Sequence, residues 1–425
     1  MTGVYLSVLM VALLWAAVNK RDFFGPIRLY VMVYGLALGI NALNLSRMQT
    51  PWSTSTNLLF WGSAFLFIGS GVIVFLLDKV HAGKEFEFET FRERLRIDSE
   101  SINWFWFGGV FYFCSAVYIF SYFGSAVISN CIPLLAQNAD RARIAFFGAS
   151  LPTNIGLFFG PLSLMLGIEI FLVGKITKAA KVWVILLMMF VFALYMTIAM
   201  RLDLFRFFVF GLLFYHYARR SLGLKQLALA FMVGVVIFVG VYLARVHANA
   251  IGELNEMAKV KMPKKYMWAS QIYAYVASNF WNMDYGFTRY AEELGGYPYS
   301  WGFELFRPFM FLLQIEGGMQ SSFGFDSIFN DSIILVKGMN STVYPWHFYQ
   351  DFGAFGVYFL TLIAGLSLSI YYCNMRRCPS LFRVSLWGIF AGIVIFSLTA
   401  ALWEFWYTYL NIAVLAIAHR KLKLL

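Results

Sequence analysis

Residues 340–356 read NSTVYPWHFYQDFGAFG, and they close the one long polar stretch of the chain, residues 247–355. Most of the remaining chain consists of apolar runs joined by short polar connections. An apolar run of about 20 residues is long enough to cross a bilayer as an α-helix. The contrast predicts a membrane scaffold whose polar chemistry is concentrated in residues 247–355.

The composition excludes an ordinary soluble domain. Hydrophobic residues make up 60% of the chain and charged residues only 13%, whereas soluble domains carry about 25% charged residues. The apolar runs are continuous rather than alternating, which favours helices over a β-barrel. We therefore predict an all-α fold, a polytopic transmembrane helical bundle of about eleven spans forming one membrane domain over residues 1–425. The predicted spans are 3–18, 27–43, 57–77, 103–123, 156–174, 182–200, 204–218, 226–246, 356–373, 381–401 and 404–419.

The basic residues predict the orientation of this bundle. Most of the 33 Lys and Arg residues fall in connections that share one side, namely 20–28, 79–96, 175–181, 219–225, 376–383 and 420–423. Because such residues favour the cytoplasmic side, we expect an outer N-terminus, a cytoplasmic C-terminus and an outer location for residues 247–355. The same rule accounts for the net charge of +11 without nucleic acid as a partner.

Three further predictions concern the first apolar run of the chain and two segments within residues 247–355. The N-terminal apolar run has no basic region before it and no cleavage signal, so we interpret it as a first span and not as a signal peptide. Residues 266–285 are rich in aromatic side chains and predict an interfacial helix. Residues 303–315 are apolar but too short to span, which indicates a re-entrant or surface-lying segment.

Recognisable soluble-enzyme motifs are missing from the sequence. It contains no phosphate-binding loop, dinucleotide fingerprint, HExxH or GxSxG sequence. Of the four cysteines, Cys373 and Cys378 are closely spaced but have no histidine or second pair near them. We therefore expect neither a metal site nor a cofactor.

A set of arginines is predicted to lie on the outer side at membrane depth. Arginine binds phosphate oxygens through several donors while remaining charged, so the set predicts a site for a lipid diphosphate. Snorkelling to the interface is the alternative for each one, and an ion pair with Asp203 is the alternative at the hairpin tip 201–206. The candidate ligands are Arg201, Arg206, Arg289, Arg307, Arg141 and Arg245.

A second set, Tyr344, His347, Tyr349 and Asp351, precedes the predicted span 356–373. His347 titrates nearest neutrality and is a candidate base for a hydroxyl group. Asp351 has an alternative role in the first turn of the next helix, where a carboxylate complements the dipole. We take His347, Asp351 and Tyr349 as the candidate catalytic residues. Rival bases are Glu253, Glu256, Asp284, Glu292, Asp326 and Asp331.

Aromatic and amide side chains of the same stretch suit a glycan. Aromatic faces stack on sugar rings and amides satisfy hydroxyl groups, although an aromatic belt at the membrane interface gives the same composition. The candidate glycan-binding residues are Tyr344, Asn279, Trp281 and Asn282.

The whole pattern resembles a known family. The chain has many predicted spans, a hairpin that bears arginines and one large outer loop late in the sequence. Near the end of that loop stand Thr342, Tyr344 and the run Tyr-x-Asp-Phe-Gly-x-x-Gly over 349–356. This is similar to the O-antigen or capsule oligosaccharide repeat unit polymerases of the Wzy type. Related ligases place a His-Asn pair near this point, whereas here His347 is followed by Phe348.

The resemblance implies a glycosyltransferase of the bacterial inner membrane. Such an enzyme moves a growing glycan from undecaprenyl diphosphate to another lipid-linked repeat unit on the periplasmic side. It implies inversion at the anomeric carbon without a metal, with lipid diphosphate as leaving group. Its implied partners are undecaprenyl-diphosphate-linked glycans, membrane lipid and a chain-length regulator protein.

Two other functions stay open at this point. An O-antigen ligase, which transfers the finished glycan, shares the architecture. A lipid-linked glycan transporter would place polar groups along many spans, whereas the cores of the first, third, fifth and sixth predicted spans hold almost no ionisable group besides Glu169.

Overall fold

The structure is a computed structural model of the chain. It describes residues 22–78, 87–136, 142, 145–198, 201–223, 225–230, 232–234, 236, 259–261, 267–292, 299, 302–312, 341–399, 401, 403 and 405–420. Within these residues the fold is all-helical, and no strand forms beyond an isolated antiparallel bridge between Ser46 and Val260. The predicted fold class is thereby confirmed at the level of secondary structure.

Contacts divide the chain into two compact units. The first comprises Met1–Phe86, Asn249–Asn374 and Ile393–Tyr409, and the second comprises Glu87–Ala248, Met375–Gly392 and Leu410–Leu425. The helices that begin in the first unit are α1 (Pro26–Ala42), α2 (Thr54–Leu77), α9 (Met267–Glu292), α10 (Phe303–Leu312), α11 (Tyr344–Arg377) and α13 (Trp406–Ala418). The helices that begin in the second unit are α3 (Phe88–Glu100), α4 (Trp104–Ser129), α5 (Leu151–Leu157), α6 (Phe159–Val173), α7 (Lys178–Ile198), α8 (Arg201–Ala218) and α12 (Leu381–Phe396), with a short 3-10 helix over Pro133–Leu135.

Local sequence signals explain where several helices begin. The Ser53 hydroxyl accepts a hydrogen bond from the backbone N–H of Thr56 at 3.1 Å and caps α2. Asn103 caps α4 in the same way through the N–H of Trp106 at 3.1 Å. Such caps satisfy backbone donors that have no partner within the helix. These caps explain why α2 begins three residues before its predicted limit and α4 one residue after its own.

Five helical segments of the described chain are long and apolar enough to cross a membrane. They are Thr54–Leu77, Trp104–Ser129, Leu151–Val173, Lys178–Ile198 and Tyr344–Arg377. Shorter apolar helices cover Pro26–Ala42, Phe205–Ala218, Leu381–Phe396 and Trp406–Ala418. The predicted count of eleven is larger than these five. The predicted span 3–18 and most of 226–246 lie outside the described residues.

Large apolar side chains stay exposed along these helices. Phe120 is 78% exposed and Val127 is 79% exposed on α4, while Leu77 is 80% exposed at the end of α2. Extended exposed apolar surface is unusual on a soluble monomer. The apolar helices and their exposed faces together indicate a membrane protein.

Each unit has its own core. In the first unit, Tyr273, Ala277 and Trp281 of α9 pack against Ile40 of α1 and Met48. In the second unit, α6 packs against α4, α7 and α8. A cluster of aromatic and aliphatic side chains surrounds this helix: Tyr118, Tyr122, Phe146, Leu157, Leu164, Val191, Tyr195 and Ile198.

Candidate functional site

Helix α11 begins at Tyr344, twelve residues before the span predicted to begin at 356, and its backbone is interrupted at Phe352 and Gly353, close to that predicted limit. Its first residue is Tyr344, whose backbone N–H donates to the carbonyl of Ser397 at 2.8 Å. Proline is tolerated in a first helical turn because that turn needs no backbone donor, which explains Pro345. The Tyr-Pro-Trp-His sequence therefore forms the first turn of α11 and not a loop.

The backbone of α11 breaks at Phe352 and Gly353. Phe352 has φ −140° and ψ 18°, and Gly353 has φ 63° and ψ −151°. The Gly353 conformation is essentially restricted to glycine. A Cβ at this position would also lie 2.6 Å from the Tyr299 ring. The Asp-Phe-Gly sequence thus codes for an interrupted helix.

Asp351 is the last residue before this break, and it is 1% exposed. Its Oδ2 accepts a hydrogen bond from the backbone N–H of Leu305 at 2.9 Å. Leu305 is the third residue of α10, so the carboxylate satisfies one of the free donors at that helix N-terminus. The alternative to a catalytic role for Asp351 was a place in the first turn of its own helix. The structure instead places it at the first turn of α10.

His347 lies one turn before Asp351 on α11 and is half-buried. Its Nε2 lies 3.1 Å from the Thr342 hydroxyl, with donor and acceptor set by the imidazole tautomer. The Trp403 ring meets the imidazole edge-on, with 6.4 Å between ring centroids. Thr342 and Trp403 thus hold the imidazole from two sides, and this restricts its orientation.

Tyr349 belongs to an aromatic cluster. Its ring stacks on Trp346 with centroids 6.0 Å apart, and it meets Phe287 of α9 edge-on at 4.9 Å. Tyr299 completes the cluster, with its ring centroid 6.0 Å from that of Tyr349. A Cβ on Gly286 would lie 2.7 Å from the Trp346 ring, so glycine at this point allows the close approach. This cluster fixes the first part of α11 against α9.

Tyr344 is 4% exposed and lies within a network of hydroxyl groups. Its Oη lies 3.1 Å from the Oη of Tyr30 and donates to the Ser63 hydroxyl, also at 3.1 Å. These bonds tie α11 to α1 and α2. The buried Tyr344 side chain therefore has a packing role, and its contact with a glycan stays a prediction.

The three glycan candidates of α9 are all buried. Asn282 Nδ2 donates to the Ser341 carbonyl at 2.9 Å and so ties α9 to the beginning of the candidate segment. Asn279 Nδ2 donates to the Tyr275 carbonyl at 2.9 Å, but its Oδ1 meets no hydrogen-bond donor within the described residues. Trp281 packs near Tyr273 with ring centroids 6.2 Å apart. Asn279 therefore retains an acceptor, whereas Asn282 and Trp281 hold the helix in place.

The candidate arginines are distributed over both units. Arg307 is half-buried on α10, two residues after Leu305. Arg206 is 5% exposed on α8 in the second unit. Arg201 and Arg289 lie in α8 and α9, and their side chains are outside the description, as are Arg141 and Arg245 entirely.

Sequence reasoning missed Tyr299 and Trp403. Both lie close to residues 347–353 in space but far from them in the sequence. In the sequence, each resembles an ordinary interfacial aromatic residue. Only Thr342 carried a signal, as part of the family-like pattern.

Within the described ranges, no three His, Cys, Asp or Glu side chains come together in a way that could hold a metal ion. Comparisons with protein-family models, curated proteins and solved structures found no match to this chain.

Proposed function

We propose that this protein is a bacterial inner-membrane polymerase of undecaprenyl-diphosphate-linked oligosaccharide repeat units. The observation that carries the proposal is the interrupted helix α11, whose break follows an immobilised His347 and a buried Asp351. Interrupted helices in membrane proteins occur where backbone lines a buried or water-filled cavity, and they often mark substrate sites. The charge asymmetry of the sequence supports a periplasmic side for this segment.

His347 is the best candidate for the base in this proposal. It is half-buried, so a substrate hydroxyl can reach it, and Thr342 and Trp403 orient its ring. It would take the proton from the acceptor hydroxyl while that oxygen attacks the anomeric carbon. The bond to the lipid diphosphate then breaks on the opposite face, which inverts the centre.

Asp351 acts as a positioning residue in this mechanism. Its carboxylate is already bonded to the N-terminus of α10, and α10 carries Arg307. The bond links the position of the Arg307 backbone to the helix that carries His347. We therefore assign the proposed base and one proposed diphosphate ligand to α11 and α10, which the hydrogen bond between Asp351 and Leu305 joins.

Arginines would stabilise the negative charge that develops on the leaving diphosphate. Of the candidate arginines, Arg307 and Arg289 belong to helices of the first unit, which also holds His347 and Asp351. Such electrostatic stabilisation is strongest where water is excluded.

A strain that lacks the gene tests the activity. Loss of polymerisation leaves single repeat units on the cell surface, whereas loss of a ligase leaves long lipid-linked chains unattached. A transporter defect leaves repeat units on the cytoplasmic side. Only the first phenotype supports the proposal.

The diphosphate role is tested by returning single variants to that strain. Each of four single variants should shorten or abolish the ladder of glycan chain lengths: Arg201→Ala, Arg206→Ala, Arg289→Ala and Arg307→Ala. Arg220→Ala is the control, since Arg220 is exposed beyond the far end of α8. A normal ladder from all four variants rules out the diphosphate role.

A further inference from the structure

A cleft of about 490 Å³ opens between three helices of the second unit. One wall is α3, the second is the C-terminal end of α6, and the third is the residue pair that ends α8. Four cationic and two acidic side chains line it, together with apolar residues from α6: Arg92, Arg96, Lys175, Arg219, Glu89 and Glu93. None of these residues belongs to the proposed glycan-transfer site.

Helix α3 is held in place by its apolar side. Phe91 and Leu95 are buried at 3% and 2% exposure, one turn apart on α3. The Phe91 ring packs near Tyr217 of α8 with centroids 5.8 Å apart. Arg92 and Arg96 directly follow these two residues in the sequence, so they are also one turn apart. Their side chains line the cleft, while Phe91 and Leu95 are buried beside them. The fixed helix gives the cationic wall a defined geometry.

The cations of the cleft are incompletely paired. Arg96 and Arg219 are exposed, and within the described residues their guanidinium groups form no hydrogen bond or ion pair. Arg92 donates through Nη2 to the His216 carbonyl at 3.1 Å, but its buried Nε meets no acceptor there. Lys175 forms an ion pair with Glu100 at 2.8 Å, and Glu89 and Glu100 also attract Arg92 and Arg96 electrostatically. The cleft therefore offers guanidinium donors to an anion.

The position of the cleft selects the kind of anion. It lies at the C-terminal end of the candidate span Leu151–Val173, and α3 leads directly into the candidate span Trp104–Ser129. Trp104 and Trp106 mark the beginning of that second span, as tryptophans do at the membrane interface. Phosphate headgroups occupy this depth of a bilayer, and basic pockets between helices bind them.

We propose that this cleft binds a phosphate group, carried by an anionic phospholipid headgroup or by a soluble phosphate compound. Arg96 and Arg219 bind its oxygens from opposite walls, and Arg92 adds positive charge beside them. Planar guanidinium groups suit this role because they present paired donors to phosphate oxygens. Leu172 and Val173 form the apolar wall beside it.

The experiment uses the full chain purified in detergent, and thermal unfolding reports binding. The ligands are phosphatidylglycerol, a glucosyl diacylglycerol that has no phosphate, and inorganic phosphate against chloride at constant ionic strength. The test variant is Arg96→Gln with Arg219→Gln. The matched control is Arg94→Gln with Arg220→Gln. These two exposed arginines are near neighbours of Arg96 and Arg219 in the sequence but do not line the cleft.

We expect phosphatidylglycerol to stabilise the wild type and the control equally. The test variant should need a concentration roughly tenfold higher for half of the effect, since two charged hydrogen-bonding groups are lost. If inorganic phosphate stabilises the wild type as much as the lipid does, and the test variant loses this response, a soluble phosphate is sufficient. If only phosphatidylglycerol stabilises the wild type, the ligand is the lipid headgroup. Either result supports the site. Stabilisation that is absent in the wild type, or equal in all three proteins, overturns it.

Discussion

The imidazole Nε2 of His419 lies 2.8 Å from the carboxylate Oε2 of Glu169, and both side chains are almost fully buried. Ser385 donates a hydrogen bond from its hydroxyl to the other oxygen of Glu169 at 2.7 Å. Glu169 lies in the candidate span Leu151–Val173, where an unpaired charge would be costly. The pair therefore joins α6 to the end of α13 within the second unit.

Removing the charge of Glu169 should destabilise the protein. Glu169→Gln keeps the shape of the side chain but leaves the His419 imidazole without its counter-charge. Breaking a buried pair from one side costs about 3 kcal/mol or more. Ser385→Ala, which keeps both charges and removes one hydrogen bond to the carboxylate, should cost less, about 1.5 kcal/mol. Thermal unfolding in detergent compares the two variants, and equal losses would show that the charge contributes little.

Gly353 should tolerate no side chain. In Gly353→Ala the new Cβ meets the Tyr299 ring, and the backbone conformation is strained by about 1–3 kcal/mol. We expect a lower melting temperature and a shortened glycan ladder. The control is Gly109→Ala on α4, where a Cβ meets nothing within 4 Å and alanine favours the helix. If both variants behave alike, the break at Gly353 is not required.

Local sequence predicts the helices better than it predicts the site. Hydropathy located α2 and α4 to within a few residues at most ends, because apolar runs and caps are properties of neighbouring residues. The beginning of α11 was missed because residues 344–351 are too polar to resemble a span. The contact of Asp351 with Leu305 and the approach of Tyr299 to Gly353 join positions about 50 residues apart, and no periodicity encodes them.

Substitutions at Asp351 separate a positioning role from a catalytic one. Asp351→Asn retains an oxygen for the N–H of Leu305, so we expect a modest loss of polymerisation. Asp351→Ala removes the acceptor and should cost about 1–2 kcal/mol, as other lost helix caps do. The melting temperature and the glycan ladder are measured together. An inactive Asp351→Asn protein of normal stability would instead make Asp351 a catalytic residue.

His347 should be required for the reaction but not for folding. It is half-buried, and within the described residues its clearest contacts are with Thr342 and Trp403. His347→Gln should lower the rate about 100-fold or more, the usual contribution of a general base, and leave the melting temperature nearly unchanged. Purified enzyme with lipid-linked repeat units measures the rate. Thr342→Val, which removes only the hydroxyl that orients the ring, should give a smaller loss with a similar dependence on pH. If His347→Gln keeps the pH profile of the wild type at full rate, the base lies elsewhere, and Asp284 becomes the rival within the described chain.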